Sequence, residues 1–403
     1  LTGLAFGGNG ALDYDRRSWS WEAVNETKWY VKDSPHRLKL TAESRLDGYS
    51  QSAPEDLLGA FSFQSLAALQ AGEASSFSRT LDAPARTGGL WSGFLAMSDY
   101  WRVTPSLQLL YGARFEGNRY TTSLAENPEV ASAFGASTSH APNTVHVSPR
   151  VGFTWYFGRE PRGQGISFNQ FARQTLWSTM MLRGGIGEFR GLLPPSLLGD
   201  ASAANGLPGG LSRLTCIGEA VPVPRWEDYL TDAGTIPATC ADGAPSSFAD
   251  AAPSVRLFDR SFDAPRSWRA NLAWMRTVGP VGLTLDGTYS LNLDQPGTLD
   301  LNFAGTPQFT LAGEGDRPVF VSPASIVPAT GALSPVEARV NGAFGRVVSS
   351  VSDLRSTSRQ ITAAITPKEL GRLYYSLAYT LGDMRTDGRG FVMTLTTRAG
   401  NPV

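Results

Sequence analysis

The two cysteines of this 403-residue chain, Cys216 and Cys240, are the residues whose type and spacing suggest chemistry most clearly. They bracket the segment CIGEAVPVPRWEDYLTDAGTIPATC. The chain has no third cysteine, and its three histidines, His36, His140 and His146, are far from this segment, so a zinc site is not expected. The sequence favours a disulfide over two free thiols, and a disulfide implies an oxidising compartment.

The motifs of common enzyme chemistries are missing from the sequence. It contains no H-E-x-x-H zinc motif, no G-x-S-x-G nucleophile elbow and no phosphate loop ending in Gly-Lys-Ser/Thr. Carboxylate pairs such as Glu22 with Glu26, or Asp383 with Asp387, are better explained as scattered surface charges, because the chain has 36 acidic residues. We therefore predict that the protein is not an enzyme and needs no cofactor. Trp226, between the cysteines, could stack against a ligand or simply pack its own loop.

The charge balance and the hydropathy pattern exclude two classes of protein. With 35 basic and 36 acidic residues, the chain lacks the basic excess of a nucleic-acid-binding protein, so no nucleic-acid partner is expected. No stretch approaches the ~18 consecutive apolar residues that a membrane-spanning helix needs. The 43 glycines and 26 prolines are typical of a chain with many turns.

Apolar and polar residues alternate along many segments. In PVGLTLDGTYSLNLD, residues 280–294, the leucines and Tyr289 have one parity, while Asp286, Thr288 and Asn292 have the other. Successive side chains of a strand point to opposite faces, so this pattern predicts a strand with one apolar and one polar face. We expect ten such strands, near residues 18–32, 36–50, 87–103, 107–120, 147–157, 165–177, 267–278, 281–293, 356–366 and 372–384.

Short and long connections alternate between the expected strands. Long connections are expected at about 51–86, 121–146, 178–266 and 294–355, with short turns such as 33–35 and 104–106 between them. Short turns on one edge and long loops on the other are typical of an outer-membrane barrel. The sequence therefore predicts an all-β fold, part of an antiparallel transmembrane outer-membrane β-barrel. Its short turns would be periplasmic, and its long loops, with 178–266 the longest, would be extracellular.

Charged residues on the polar parity agree with a water-filled lumen. Lys39 and Arg45 alternate with Leu38, Leu40 and Leu46. A lysine or arginine that faced lipid near the bilayer midplane would cost about 2–4 kcal/mol, so we expect Lys39 and Arg45 to face the lumen. Aromatic residues gather near the strand ends, where the membrane interfaces would lie, as at Trp29, Tyr30, Tyr100, Trp101, Trp155, Tyr156, Phe157 and Trp268.

Several segments match a known family in order along the chain. They include NETKWYVKDSPHRLKLTAESRLDGYS, GAFSFQSLAALQAGEASSFSRTL, NPEVASAFG, VSPRVGFTWYFG, SDLRSTSRQIT and LYYSLAYTLGDMRTDGRGF. The most specific is the ordered pattern D-x-W-x-V-T-P-x-L-x-L-x-Y-G-x-R at residues 99–114. These segments resemble the β-barrel of TonB-dependent receptors. Within that family they are most similar to the Oar-like branch, whose members usually carry an N-terminal carboxypeptidase-regulatory-like domain.

The resemblance implies an architecture and a function. Such receptors fill a 22-stranded barrel with an N-terminal plug, bind a scarce nutrient, and release it when the TonB complex pulls on a short N-terminal box. We expect residues 1–403 to be part of a single receptor barrel domain, with the plug and the carboxypeptidase-regulatory-like domain absent from the sequence. The expected partners are outer-membrane lipid, an unknown extracellular substrate, and the TonB complex acting through a missing N-terminal segment.

Two other functions remain open at the level of the residues. The chain could be a complete small porin of about ten to fourteen strands, or a secreted soluble β-rich binding or adhesion module. The substrate could be an iron chelate, cobalamin, an oligosaccharide or a peptide. No ligand-binding residue can be assigned, because the loops of such receptors differ with the substrate. We expect the protein to lie in the cell outer membrane of a Gram-negative type of cell.

Overall fold

The computed structural model of the chain describes residues 14–158, 180–241, 248–278, 281–328, 333–367 and 376–387. Within these ranges the strands are β1 (Asp15–Tyr30), β2 (His36–Ser52), β3 (Ala60–Ser62), β4 (Ser76–Asp82), β5 (Arg86–Arg102), β6 (Leu107–Tyr120), β7 (Thr144–Phe157), β8 (Met180–Arg190), β9 (Ser212–Ile217), β10 (Phe248–Asp250), β11 (Val255–Phe258), β12 (Arg266–Val278), β13 (Val281–Asp300), β14 (Phe309–Leu311), β15 (Arg317–Val319), β16 (Val347–Pro367) and β17 (Leu377–Thr386).

The helices are short and lie in the connections. They are α1 (Leu66–Ala71), α2 (Pro128–Phe134), α3 (Leu197–Ala203) and α4 (Trp226–Thr231), with single 3₁₀ turns at Gly218–Ala220, Ala233–Thr235, Ala312–Glu314, Pro323–Ser325 and Val336–Ala338. In the described ranges, no helix combines the length and the apolar character needed to cross a membrane.

One large sheet dominates the part of the chain that the structure describes. It contains eleven strands in the order β1-β2-β5-β6-β7-β8-β12-β13-β16, with β11 and β17 both paired to β16. All of these pairs are antiparallel except β11 with β16. The sheet ends at β1 and β17, which are not paired with each other in the described residues, so the barrel is not closed. An all-β, mostly antiparallel fold that fits part of a barrel is therefore confirmed.

The main sheet has one mainly apolar face and one mainly polar face. Leu285 on β13 lies opposite Trp274 on β12 and Ala363 on β16, whereas Thr284 lies opposite Met275 and Ala364. Directly opposed residues share a face, so the apolar parity of one strand continues into its neighbours. Apart from β11, the strands of the large sheet are 10 to 21 residues long, enough to cross a hydrocarbon layer that needs about 9–11.

A tight turn connects β1 to β2 and helps to fix their register. Asp33 has φ 61°, a left-handed conformation that aspartate tolerates better than most residues. Ser34 N donates to Val31 O at 3.2 Å, and β2 begins at His36. The turn therefore joins two long strands with few residues, as the sequence predicts for 33–35 and 104–106.

One predicted strand is not tested by the structure, and one predicted loop differs from it. The strand expected at 165–177 lies outside the described residues, while β8 occupies the first part of the range 178–266 that was predicted as a loop. Gly184, Gly185 and Gly187 interrupt the apolar alternation in β8, which hides the strand from a pattern search. The connection from β8 to β12 therefore spans 191–265 and contains β11. β13 also continues past the predicted end at 293, beyond a register shift near Asp294.

The long connections build structure of their own. A four-stranded sheet in the order β10-β9-β4-β3 draws its strands from the connections 53–85 and 191–265. Among the described residues, the largest fully buried side chain is that of Phe77, which lies in this sheet with Leu214, Cys216, Ala220 and Ile236 around it. We call this unit, formed by residues 55–82, 212–241 and 248–250, the loop module. Its apolar core shows that these connections are ordered and are not simple linkers.

Candidate functional site

The polar face of the main sheet carries ion pairs at its β1–β2 end. Glu26 bridges two lysines, with Oε1 at 2.6 Å from Lys28 Nζ and Oε2 at 2.5 Å from Lys39 Nζ. On the same face, Arg45 Nε donates to both carboxylate oxygens of Asp47, at 2.9 and 3.0 Å. Lys39 and Arg45 thus lie on the face opposite the leucines of β2, as predicted. These cations are neutralised by neighbours, which makes them poor candidates for binding an anion.

A recess of about 920 Å³ opens on the β6–β13 part of the sheet. Its polar lining comes from inward-facing side chains, among them Arg114, Arg150, Arg269, Asn271, Ser290 and Asn292. Arg114 Nε donates to Glu116 Oε2 at 2.7 Å, and its guanidinium lies 3.5 Å from the centroid of the Phe94 ring. A polar, arginine-rich recess of this kind can hold a solvated substrate with acceptor groups.

Asp99 lies on the apolar face, and its partners explain how its carboxylate is accommodated there. Asp99 on β5 is almost fully buried and lies opposite Leu38 and Tyr111. Its Oδ2 accepts from Tyr111 OH at 2.7 Å and lies 2.6 Å from His36 Nδ1, while Oδ1 accepts from Arg37 N at 3.2 Å. The cluster lies close to the short-turn edge, since β5 ends at Arg102.

A disulfide joins Cys216 on β9 to Cys240 within the loop module. Cys216 is fully buried against Phe77, so the bond lies in the apolar core of the module. Arg79 on β4 ties the same segment from the other connection, since Nη1 donates to Pro237 O at 3.1 Å and also to Ile236 O. The disulfide and this arginine together hold the connections 53–85 and 191–265 on one scaffold.

Trp226 packs within the loop module. Its ring meets Phe61 and Tyr229 in edge-to-face contacts, with centroids 5.4 and 6.1 Å away. The residue is nevertheless 48% exposed, and Leu230 on the same helix is 88% exposed. Part of the Trp226 side chain therefore packs against its own loop, and the rest is exposed to solvent.

An ionic cluster fastens the connection 191–265 to the strands beneath it. Arg190 Nε donates to Glu188 Oε1 at 2.9 Å, and its Nη1 donates to Asp263 Oδ2 at 3.2 Å. The other oxygen of Asp263 lies 2.9 Å from His146 Nε2 on β7. Arg190 and Glu188 are both almost fully buried, so each needs its partner. The cluster fixes where the connection leaves and rejoins the sheet.

A buried amide closes the connection 301–346. The Asn302 side chain donates to three carbonyls, at 2.9 Å to Asn341 O, 2.9 Å to Phe344 O and 2.6 Å to Gly345 O, and its Oδ1 accepts from Asn341 N at 2.7 Å. It brings Phe344 into a third apolar cluster with Val130 of α2 and Val255 of β11. Three long connections, 121–143, 191–265 and 301–346, thus meet in one apolar cluster. We call the structure formed by the long connections the roof.

Glu126 gives the connection 121–143 a defined pH dependence. Its carboxylate accepts from Ser137 Oγ at 2.6 Å and Ser139 N at 2.9 Å, and these hydrogen bonds, led by that of Ser137, lower its pKa. A lowered pKa contributes stability that is present above the unfolded value of about 4.3 and is lost as the pH falls through the folded value. We therefore expect the protection of the Ser139 amide, measured as its exchange rate relative to the intrinsic rate at the same pH, to fall on acidification below about pH 4.3.

The matched variant for this prediction is Glu126→Gln. Its neutral amide keeps an acceptor oxygen and the size of the side chain but does not titrate. Exchange at Ser139 should then be faster than in the wild type at pH 7, and the gap between the two proteins should narrow at about pH 3. A gap that stays constant with pH would contradict the role of the carboxylate.

Metal chemistry finds no support in the described ranges of the chain, where no three His, Cys, Asp or Glu side chains are grouped to hold an ion. In the ion pairs described above, each carboxylate is bound to a lysine or arginine side chain and not to another carboxylate.

The comparison with protein families decides the identity of the fold. The family described as "Outer membrane beta barrel domain" matches residues 2–384. The chain belongs to this family. As an outer membrane beta-barrel domain, it is a protein of the Gram-negative cell outer membrane.

Solved structures of outer-membrane proteins are similar to this barrel domain at low sequence identity. The transporter YddB from Escherichia coli is 10% identical with a TM-score of 0.49, and the match covers 93% of this chain and 34% of that one. The FrpB iron transporter from Neisseria meningitidis is 10% identical with a TM-score of 0.44, covering 92% and 36%. The siderophore receptor PirA from Pseudomonas aeruginosa is 10% identical with a TM-score of 0.41, covering 93% and 44%.

The chain thus spans less than half the length of each of these three structures. Comparison with curated proteins finds no match.

Proposed function

We propose that the intact protein is a TonB-dependent receptor that takes up a scarce substrate across the outer membrane. Residues 1–403 would then be part of its barrel domain, with a plug and a TonB-binding segment encoded elsewhere in the same gene. The ordered resemblance at residues 99–114 carries this proposal, and membership of the outer-membrane barrel family supports it. The Oar-like branch is the part of that receptor family to which we assign the chain.

The geometry supports a transport role without covalent chemistry. The inward face is polar and includes a recess of about 920 Å³, which offers hydrogen bonds to a passing substrate. The long connections form a roof with its own apolar cores, and we propose that this roof is extracellular and makes the first contact with the substrate. The outward apolar face would contact outer-membrane lipid. The alternative of a secreted soluble module does not agree with the family.

The first experiment separates a coupled receptor from an energy-independent porin. The intact protein is expressed in cells that lack other receptors for the probes, with and without TonB. The uptake probes are radiolabelled ferric citrate, cyanocobalamin, maltoheptaose and a tripeptide, one from each open substrate class. We expect uptake of one probe that falls to background when TonB is absent, while its binding to isolated membranes is unchanged. Uptake that persists without TonB would contradict the proposal and favour a porin.

The gene itself provides a second test. If the proposal is right, the reading frame upstream of Leu1 encodes a plug of roughly domain size, and the frame downstream of Val403 encodes further alternating strands. A signal peptide directly before Leu1 and a stop codon directly after Val403 would contradict it.

A further inference from the structure

Two arginines on the inward face lie over a single aromatic ring. Arg150 on β7 and Arg269 on β12 are both directly opposite Gly187 of β8, so they are two strands apart in one row of the sheet. The Arg150 guanidinium lies 4.2 Å from the centroid of the Phe189 ring, and that of Arg269 lies 5.4 Å from it. A ring with two arginines over it attracts both cations and holds them near each other.

Among the residues that the structure describes, the partners of this arginine pair satisfy only a small part of its hydrogen-bonding capacity. Arg150 Nε donates to Glu188 O at 3.2 Å, and Arg269 Nε donates to Ser267 Oγ at 3.2 Å. Both acceptors are neutral, and within the described ranges neither guanidinium forms an ion pair. This contrasts with Lys39, which is paired with Glu26. Each arginine carries five N–H donors, so most donors of the pair have no acceptor in the described part of the chain and can bind another molecule.

The surroundings leave room for such a molecule. Gly187 gives the Arg150 side chain room to lie across β8, because a Cβ atom built on Gly187 would lie only 2.7 Å from Arg150 Cγ. Asn271, Ser290 and Asn292 line the same recess with neutral hydrogen-bonding groups. Gly187 and Arg269 are each three residues from the long-loop ends of their strands, a depth of about 10 Å. The pair can therefore be reached from the long-loop side.

We infer that Arg150 and Arg269 form an oxyanion subsite that binds a carboxylate or phosphate group of the transported substrate. Planar guanidinium groups match the two oxygens of such anions, and two of them in one row can hold the anion from both sides. This inference rests on the proposed uptake function and narrows the substrate to an anionic class. We assign the anion to a free small molecule. The alternative is that an acidic side chain from another part of the intact protein pairs with the two arginines.

The test is an equilibrium titration of the intact, detergent-solubilised protein with citrate and, separately, with inorganic phosphate at low ionic strength. We expect binding of at least one anion, weakened about tenfold or more by Arg150→Gln or Arg269→Gln, because a charge-assisted bidentate contact is lost. Arg150→Lys should restore part of the affinity, since it keeps the charge without the planar fork. Binding should weaken as salt is added.

The controls separate binding from folding and from coupling. Lys39→Gln removes a cation of the same face that is already paired, and it should leave anion affinity unchanged. Heat-modifiable migration of each variant shows that its barrel is intact. The titration needs neither TonB nor energy, so a failed uptake experiment would leave its result standing.

Two outcomes would overturn the inference. The first is equal anion affinity in the wild type and in the double variant Arg150→Gln, Arg269→Gln. The second is a wild type that binds neither anion while the double variant unfolds at a lower temperature, which would assign the arginines to an internal acidic partner.

Discussion

Replacing Leu285 by arginine should prevent the protein from accumulating in the outer membrane. Leu285 lies in the middle of the apolar row, opposite Trp274 and Ala363, and is 47% exposed on that face. It is four residues from the short-turn end of β13, about 13 Å along the strand and so near the bilayer midplane. An arginine there would cost about 2–4 kcal/mol, and the loss should show as a large fall in the heat-modifiable protein in the outer-membrane fraction.

The neighbouring position provides the matched control. Thr284→Arg places the same side chain one residue earlier in the same strand but on the polar face, opposite Met275 and Ala364. We expect this variant to assemble at close to wild-type levels. Leu377→Arg, on the apolar face of β17 opposite Ile365, lies nearer the short-turn edge, where a charge costs less, and should show a weaker form of the same defect. Equal tolerance of arginine at 284 and 285 would refute the assignment of the apolar face to lipid.

The strands could be predicted where a two-residue period survives. β12 and β13 were found because Trp268, Leu272 and Trp274 and the leucines of β13 keep a two-residue period, which in β13 is interrupted only at Gly287. β8 was missed because the glycines at 184, 185 and 187 interrupt the alternation of apolar and polar side chains. The strand nevertheless pairs in regular register with β7 and with β12. A strand of this kind is specified by its neighbours, and that information is not present in its own residues.

The ordered motif at residues 99–114 acquires a physical explanation from the structure. Asp99 and Tyr111 lie opposite each other across the β5–β6 hairpin, and their side chains form a hydrogen bond of 2.7 Å. Trp101 stacks on His36, which also contacts Asp99. The motif residues therefore form a polar cluster on the apolar face near the turn, where a carboxylate without partners would be costly. The sequence alone showed the pattern without showing that these residues meet.

The candidate site was only partly visible in the sequence. The cysteine pair could be recognised by elimination, since no other ligand for zinc was near. The oxyanion subsite could not, because Arg150 and Arg269 are 119 positions apart and come together only through the register of β8. The loop module likewise depends on contacts between connections, such as that of Arg79 with Pro237, that no local pattern encodes.

Removing the disulfide should open the loop module while the barrel still assembles. Cys216 and Cys240 are 24 positions apart, and closing a loop of this size contributes up to about 3.5 kcal/mol in the chain-entropy model. The double variant Cys216→Ala, Cys240→Ala avoids a reactive free thiol. We expect trypsin to cleave after Arg213, inside β9, up to about 300-fold faster in isolated outer membranes, because cleavage there requires the strand to open.

The strands of the main sheet should be unaffected by this change, since the disulfide lies in the core formed by Phe77 and Leu214 and not in the cluster around Leu90 and Phe258. Heat-modifiable migration should therefore match the wild type. Leu230→Ala is the control within the same segment: Leu230 is 88% exposed, so its loss should not change cleavage after Arg213. If the double variant and the wild type were cleaved at the same rate, the apolar core and Arg79 alone would hold the module closed, and the disulfide would contribute nothing to its stability.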